Sequence, residues 1–329
     1  IGNGTDMVTY NIGNTNGLRL LNSVGFAGEY SSTLTTNTNV KLAANTAAST
    51  VSINSLVLNG FDITNPGGAA TLTVASASHS GNILMDSANS IAGSNTTLGI
   101  TTFETNIHTS SNSTISAVIG TSTTGSLTLS GIGNVTITAT TAYTGATNIN
   151  RATLTYGASN ILTSGAVTVG NGTLNIAGNS DTVGAVTLQK GLITGTSGIL
   201  TGTSYSFREG TVSAIIAGAV AVTRVATSTA VDSVVTMTRD NTYTGATTIT
   251  SGILKLGAAG GVTNTPLGTT GGGTTIASGG ALDLNGFTLG TAEAITSLAS
   301  SGFGASGASN MGAIMNSSGS AASYSGALT

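Results

Sequence analysis

The sequence predicts an all-β fold, a β-solenoid of roughly 20 residues per rung. Three observations carry this. Residues 241–257 (NTYTGATTITSGILKLG) repeat residues 141–157 (TAYTGATNINRATLTYG), one hundred positions apart and without insertion. Tyr143, Thr144, Gly145, Ala146, Thr147, Ile149, Leu154 and Gly157 recur as Tyr243, Thr244, Gly245, Ala246, Thr247, Ile249, Leu254 and Gly257. Second, a shorter echo runs inside this repeat. Gly165-Ala166-Val167-Thr168 returns nineteen positions on as Gly184-Ala185-Val186-Thr187, and Gly172-Thr173-Leu174 is followed at the same spacing by Gly191-Leu192-Ile193. Third, the composition suits short strands and tight turns. Thr, Val and Ile favour strands, and Asn and the 48 Gly favour turns.

Taken in order, residues 1–50 are the least regular and carry Arg19, Glu29, Tyr30 and Lys41. They read as an N-terminal cap, because a solenoid end needs atypical sequence over its open core. Residues 51–297 read as the solenoid. Alternation at 51–58 (VSINSLVL) ends at Asn59-Gly60, and a turn cluster at 65–68 precedes 71–74 (TLTV). The same rhythm returns at 126–129, 135–138, 166–169, 173–176, 185–188 and 192–194. The long repeat covers residues 112–157 and 209–257. Its upstream portions, TISAVI from Thr114 and TVSAII from Thr211, lie 97 positions apart, so a three-residue loop insertion absorbs the difference. Leu58-Asn59-Gly60-Phe61 also returns as Leu284-Asn285-Gly286-Phe287. Residues 291–298 (TAEAITSL) are the best helical candidate, as a short cap or loop helix. Residues 298–329, rich in Gly, Ala and Ser, read as further irregular rungs or as a linker. Roughly sixteen rungs stacked at ~4.8 Å would make a rod ~75–80 Å long.

Only 6% of residues are charged, with net charge −3. No run of ~18 apolar residues offers a transmembrane helix. A hydrophobic content of 39% opposes disorder. The eight Lys and Arg are too scattered to track a nucleic-acid backbone. Without Cys there are no disulfides or thiolate metal sites, which suits the cytosol and also large exported proteins. The opening Ile1-Gly2-Asn3 lacks a leader and reads as a processed or excised segment.

Catalytic signals are sparse. Glycan cleavage on a β-helix needs carboxylates gathered on neighbouring rungs. The acids are instead dispersed from Asp6 to Glu293. The densest charged group, Asp232, Asp240, Arg224 and Arg239 beside Arg208 and Glu209, reads as a solvated edge. His79 and His108 lack second ligands at metal spacing and read as surface residues. Calcium-binding GGxGxD nonapeptides are absent, which leaves only an unrecognised loop for a bound calcium. No cofactor site is expected. Tyr143 and Tyr243 read as the starts of equivalent rungs, with Gly145 and Gly245 at turns needing positive φ or close packing. Stacking of these Tyr on carbohydrate is the alternative.

Residues 209–257 resemble the autotransporter-associated β-strand repeat, and residues 112–157 resemble a more diverged copy. The YTGATxI core is the specific part; the LNG segments near 51–61 and 281–287 are weaker. Clear similarity covers roughly a third of the chain. The resemblance implies a right-handed parallel β-helix, exported and displayed on a bacterial surface. Two family features are missing, a C-terminal outer-membrane barrel and a Gly-Asp-Ser-Gly protease motif, so no catalytic residue carries over. The expected function is a non-enzymatic structural one: a filament, sheath or fibre built by self-association. An adhesin shaft binding glycans or other cells is the alternative, and a polysaccharide-degrading enzyme the lesser one.

Overall fold

The computed structural model describes residues 6–11, 17–22, 27–65, 67–75, 80–226, 233–300, 302 and 312–329. Every regular element among them is a strand. Strand pairs are parallel except for Val8–Asn11 with Gly17–Leu20 and Asn264–Thr265 with Gly268–Thr269. Among the described residues the strands stack as β-solenoid turns, about 12 of them. Fewer turns form than the sixteen expected because rung length varies with the loops. Val167 pairs with Val186, 19 residues on, whereas Leu56 pairs with Ile83, 27 residues on. The chain divides into two compact units, residues 1–165 and 166–329.

In the first unit, period-two alternation sends every second residue inward. Val40, Leu56, Ile83, Ile107, Leu129 and Ile149 fall on one register line and are all buried. A second line runs Ile63, Ile91, Ile115, Ile137, Tyr156, and a third Leu72, Leu98, Ile119. Each such side chain contributes about 1.5–3 kcal/mol when fully buried. On the first line, the residue preceding each on its strand is small and polar: Asn39, Ser55, Asn82, Asn106, Thr128 and Asn148.

Parallel pairing begins within the stretch read as a cap, where Tyr30–Ser31 pairs with Asn39 and Val40, and Asn39–Lys41 with Ser55, Leu56 and Val57. The segment before it lies along the flank. Met7 and Leu21 cluster with Val57 and Leu84, with Tyr30 packed beside them. Val57 and Leu84 alternate with inward Leu56 and Ile83, so they point out of the rung and need this cover. Lys41 Nζ meets Asp6 at 2.7 Å on the same flank.

In the second unit the nineteen-residue echo is one rung. Val167 lies beside Val186, Gly172 beside Gly191, and Leu192 beside Thr211. An inward line runs Val169, Leu188, Phe207, Arg224, Ile249, Ile276. The adjacent outward line is Thr168, Thr187, Ser206, Thr223, Thr248, Thr275.

Residues 291–298 are not helical: Ile295–Leu298 is a strand beside Thr274–Ile276. A helix this short gains too few bonds to repay nucleation. The neighbouring strand edge offers pairing at once, with the Thr274 N–H donating to the Ala294 carbonyl at 2.8 Å and the Ala299 N–H to Ile276 at 3.0 Å. Residues 312–329 wrap as a further turn. Ile314–Met315 pairs with Leu282 and Asp283, and Leu328 bridges Ile295. The Ser317 hydroxyl donates to Asp283 Oδ2 at 2.6 Å, and the Tyr324 hydroxyl donates to the Glu293 carbonyl.

Candidate functional site

The repeated motif has the same geometry in both copies, and most of it faces inward. Tyr143 and Tyr243 are buried, and their hydroxyls lie 2.6 Å from Thr147 Oγ1 and Thr247 Oγ1. The Thr247 hydroxyl donates onward to the Leu267 carbonyl at 2.8 Å. A hydroxyl carries one proton, so the Tyr243 phenol is the donor to Thr247. Burial raises the Tyr243 pKa far above the ordinary phenol value, which keeps that proton in place.

The backbone groups between these two side chains knit rungs together. The Thr144 and Thr244 amides donate to Thr123 and Gly218 carbonyls at 2.9 and 3.0 Å. The carbonyls of Ala146 and Ala246 accept from Leu127 and Val222 amides at 2.9 and 3.1 Å. Gly145 and Gly245 are not in the left-handed region. Their requirement is space: a Cβ would stand 2.3 Å from the Gly125 oxygen at Gly145, and 2.4 Å from the Val220 carbonyl at Gly245. Ile149, Ile249, Leu154 and Leu254 fill the interior. Gly157 and Gly257 close each copy, where a Cβ would strike the methyl of Thr138 at 2.6 Å or of Thr238 at 2.4 Å.

The copies differ just ahead of the tyrosine. Asn241 is fully buried; its Oδ1 accepts from the Ile216 amide and its Nδ2 donates to the Pro266 carbonyl, both at 2.9 Å. Thr141 takes the equivalent place, and its buried hydroxyl has no hydrogen-bond partner among the described residues.

Of the charged group picked out in the sequence, Asp240 is exposed and Arg208, Glu209 and Arg239 are half-buried, but Arg224 does not lie on a solvated edge. Asp232 and His79 lie outside the described residues. Arg224 is an interior residue, 1% exposed, where the first copy has Leu129 on its line. Its Nε donates to the Ile253 carbonyl at 3.0 Å and its Nη2 to Ser233 Oγ at 3.0 Å. Gly252 makes room for it, since a Cβ there would lie 2.3 Å from Nη2; the first copy has Ala152 at this place. Burial pulls Arg224 down to about 10. Arg239 binds main chain on two other rungs, donating to the carbonyls of Ser213 and Gly195 at 3.0 Å each. Glu209 pairs with Lys190 at 2.9 Å near the surface. Among the described residues no three His, Cys, Asp or Glu gather at metal-binding distance. Glu293 is also interior: Oε1 accepts from the Thr274 hydroxyl at 3.3 Å, Oε2 has no partner among the described residues, and burial lifts it to about 7.

One concavity among the described residues went unread in the sequence. On the outer flank of the first unit, His108, Ser130 and Asn150 lie side by side on consecutive rungs. They line a depression of about 520 Å³ with Gly131, Ile132 and Arg151. His108 is half-buried, its Nδ1 3.1 Å from Ser130 Oγ, and desolvation lowers its pKa so that the neutral ring dominates at neutral pH. The intervals 108 to 130 and 130 to 150 are 22 and 20 residues. No fixed period connects them, so no sequence motif marks the set.

No family model, curated protein or solved structure matches the chain. The class that the fold and the inward-facing motif define is a parallel β-solenoid repeat protein. No helix of the described residues is long and apolar enough to cross a membrane.

Proposed function

We propose that this chain is a non-catalytic structural protein, exported to a bacterial surface, whose solenoid segments associate into a filament, sheath or fibre. The bacterial and surface assignment rests on the resemblance of the YTGATxI repeats to the autotransporter-associated β-strand repeat. The observation that carries the structural reading is the fate of the motif. Tyr243, Thr247, Ile249 and Leu254 are all buried, so the most strongly repeated side chains serve the stack itself. The outer line Thr168, Thr187, Ser206, Thr223 and Thr248 supports association between copies. It is uncharged and half-buried, so a second sheet could cover it without desolvating charge. The role calls for no cofactor.

The test is the behaviour of the purified full chain as its concentration is raised. Electron microscopy and sedimentation velocity should show fibres or regular lateral bundles. A dispersed monomer at high concentration, with no ordered assembly, would rule the filament out. A second reading, a shaft that also binds glycans, is favoured by the depression along His108, Ser130 and Asn150.

A further inference from the structure

Departures from the repeat are informative where the fold does not require them. At the end of the first copy's strand stand Asn150 and Arg151; the second copy has Thr250 and Ser251. In the second copy both side chains are occupied locally. The Thr250 hydroxyl donates to the Arg224 carbonyl at 2.8 Å, and Ser251 Oγ accepts from the Ala226 amide at 2.9 Å. In the first copy Asn150 and Arg151 are exposed, and neither side chain has a hydrogen bond or ion pair among the described residues. Arg151 also sits at φ +66°, a backbone region where glycine or asparagine is the ordinary choice. The scaffold therefore gains nothing visible from an arginine here, yet its side chain borders the one concavity described above.

The rest of that concavity suits a sugar. His108, Ser130 and Asn150 present an imidazole, a hydroxyl and an amide at the ~4.8 Å rung interval. That interval is close to the advance of one pyranose ring along an extended glycan. Ile132, 73% exposed, and Gly131 supply an apolar floor for the C–H face of a ring. No acid lines the depression, so the Arg151 guanidinium is the only formal charge there apart from a protonated His108. A planar guanidinium binds carboxylate through two parallel hydrogen bonds, which a neutral sugar cannot match. We propose that this flank of the first unit binds an acidic glycan, a chain of uronate sugars. In this site Arg151 grips a carboxylate and His108, Ser130 and Asn150 read hydroxyls on adjacent rungs. The proposal holds whether or not the chain forms fibres.

Calorimetric titration of the full chain with oligogalacturonate tests it. The unaltered protein should bind this probe and not its methyl-esterified counterpart, which lacks the charge. Arg151→Gly, which relieves the φ strain and so preserves the fold, should weaken binding at least tenfold. Asn150→Thr should weaken it several-fold; circular dichroism checks that both variants stay folded. No binding of the uronate probe would overturn the proposal, as would unchanged binding by Arg151→Gly or equal binding of the methyl ester. Equal binding of a sulfated neutral-sugar polymer would overturn the uronate assignment and leave a general anion patch.

Discussion

The Tyr243–Thr247 pair makes a quantitative test of the claim that the repeat motif is scaffold. Tyr243→Phe removes one donor, while Thr247 keeps its bond to Leu267. The loss should be that of a single hydrogen bond, about 1 kcal/mol. Thr247→Val preserves shape but strands two fully buried groups, the phenol hydroxyl and the Leu267 carbonyl. A cost of about 3–4 kcal/mol follows. In the double variant the phenol hydroxyl is gone as well, so only the carbonyl is stranded and the total is about 2 kcal/mol. The two changes should therefore be coupled by about 2 kcal/mol, each masking part of the other's effect. A solenoid can open in parts, so a global unfolding curve would blur this. Hydrogen exchange of the Thr247 and Gly257 amides, which donate to Gly273 and Met237 at 2.9 and 2.8 Å, reads the rung locally. Their protection should fall about five-fold in Tyr243→Phe and several-hundred-fold in Thr247→Val. In the double variant it should recover to about thirty-fold below the unaltered protein. Additivity within about 0.5 kcal/mol would refute the hydrogen-bonded chain Tyr243–Thr247–Leu267.

Three further outcomes follow from the interior polar groups. Thr141→Val should raise the thermal midpoint, because it removes a buried hydroxyl without a partner; the gain is about 1 kcal/mol. Asn241→Val at the equivalent place should cost about 2–4 kcal/mol, since it strands the Ile216 amide and the Pro266 carbonyl. Equal shifts at the two places would contradict the assigned bonds. Glu293 should make stability pH-dependent. Its folded pKa, lifted to about 7, lies above the unfolded value, so the native state holds the proton more tightly. Stability is then greatest on the acid side and is lost as pH rises from about 4.5 to about 7. Glu293→Gln should flatten that fall in a denaturant series across this range. His108 works in the opposite sense, since its lowered pKa removes stability as pH falls, and the difference between the two proteins isolates Glu293. An unchanged slope in the variant would mean that Glu293 is solvated.

Repetition in the chain was enough to establish what the rungs are made of. The nineteen-residue echo at Val167 and Val186 is the distance from one rung to the next, and the alternation read at 51–58 has its Ile53 buried in the interior. Both are local signals, because a strand alternates faces at every residue and a stacked fold repeats its neighbours. The tertiary structure decided the rest. It placed Ile295–Leu298 in a strand, because a pairing edge was waiting beside it. It put Arg224 inside, opposite the space left by Gly252, a relation between residues 28 apart that no composition or period announces. Most of all it brought His108, Ser130, Asn150 and Arg151 to one flank. Loops of unequal length separate these residues, so their adjacency is set by the register of whole rungs and not by any spacing along the chain.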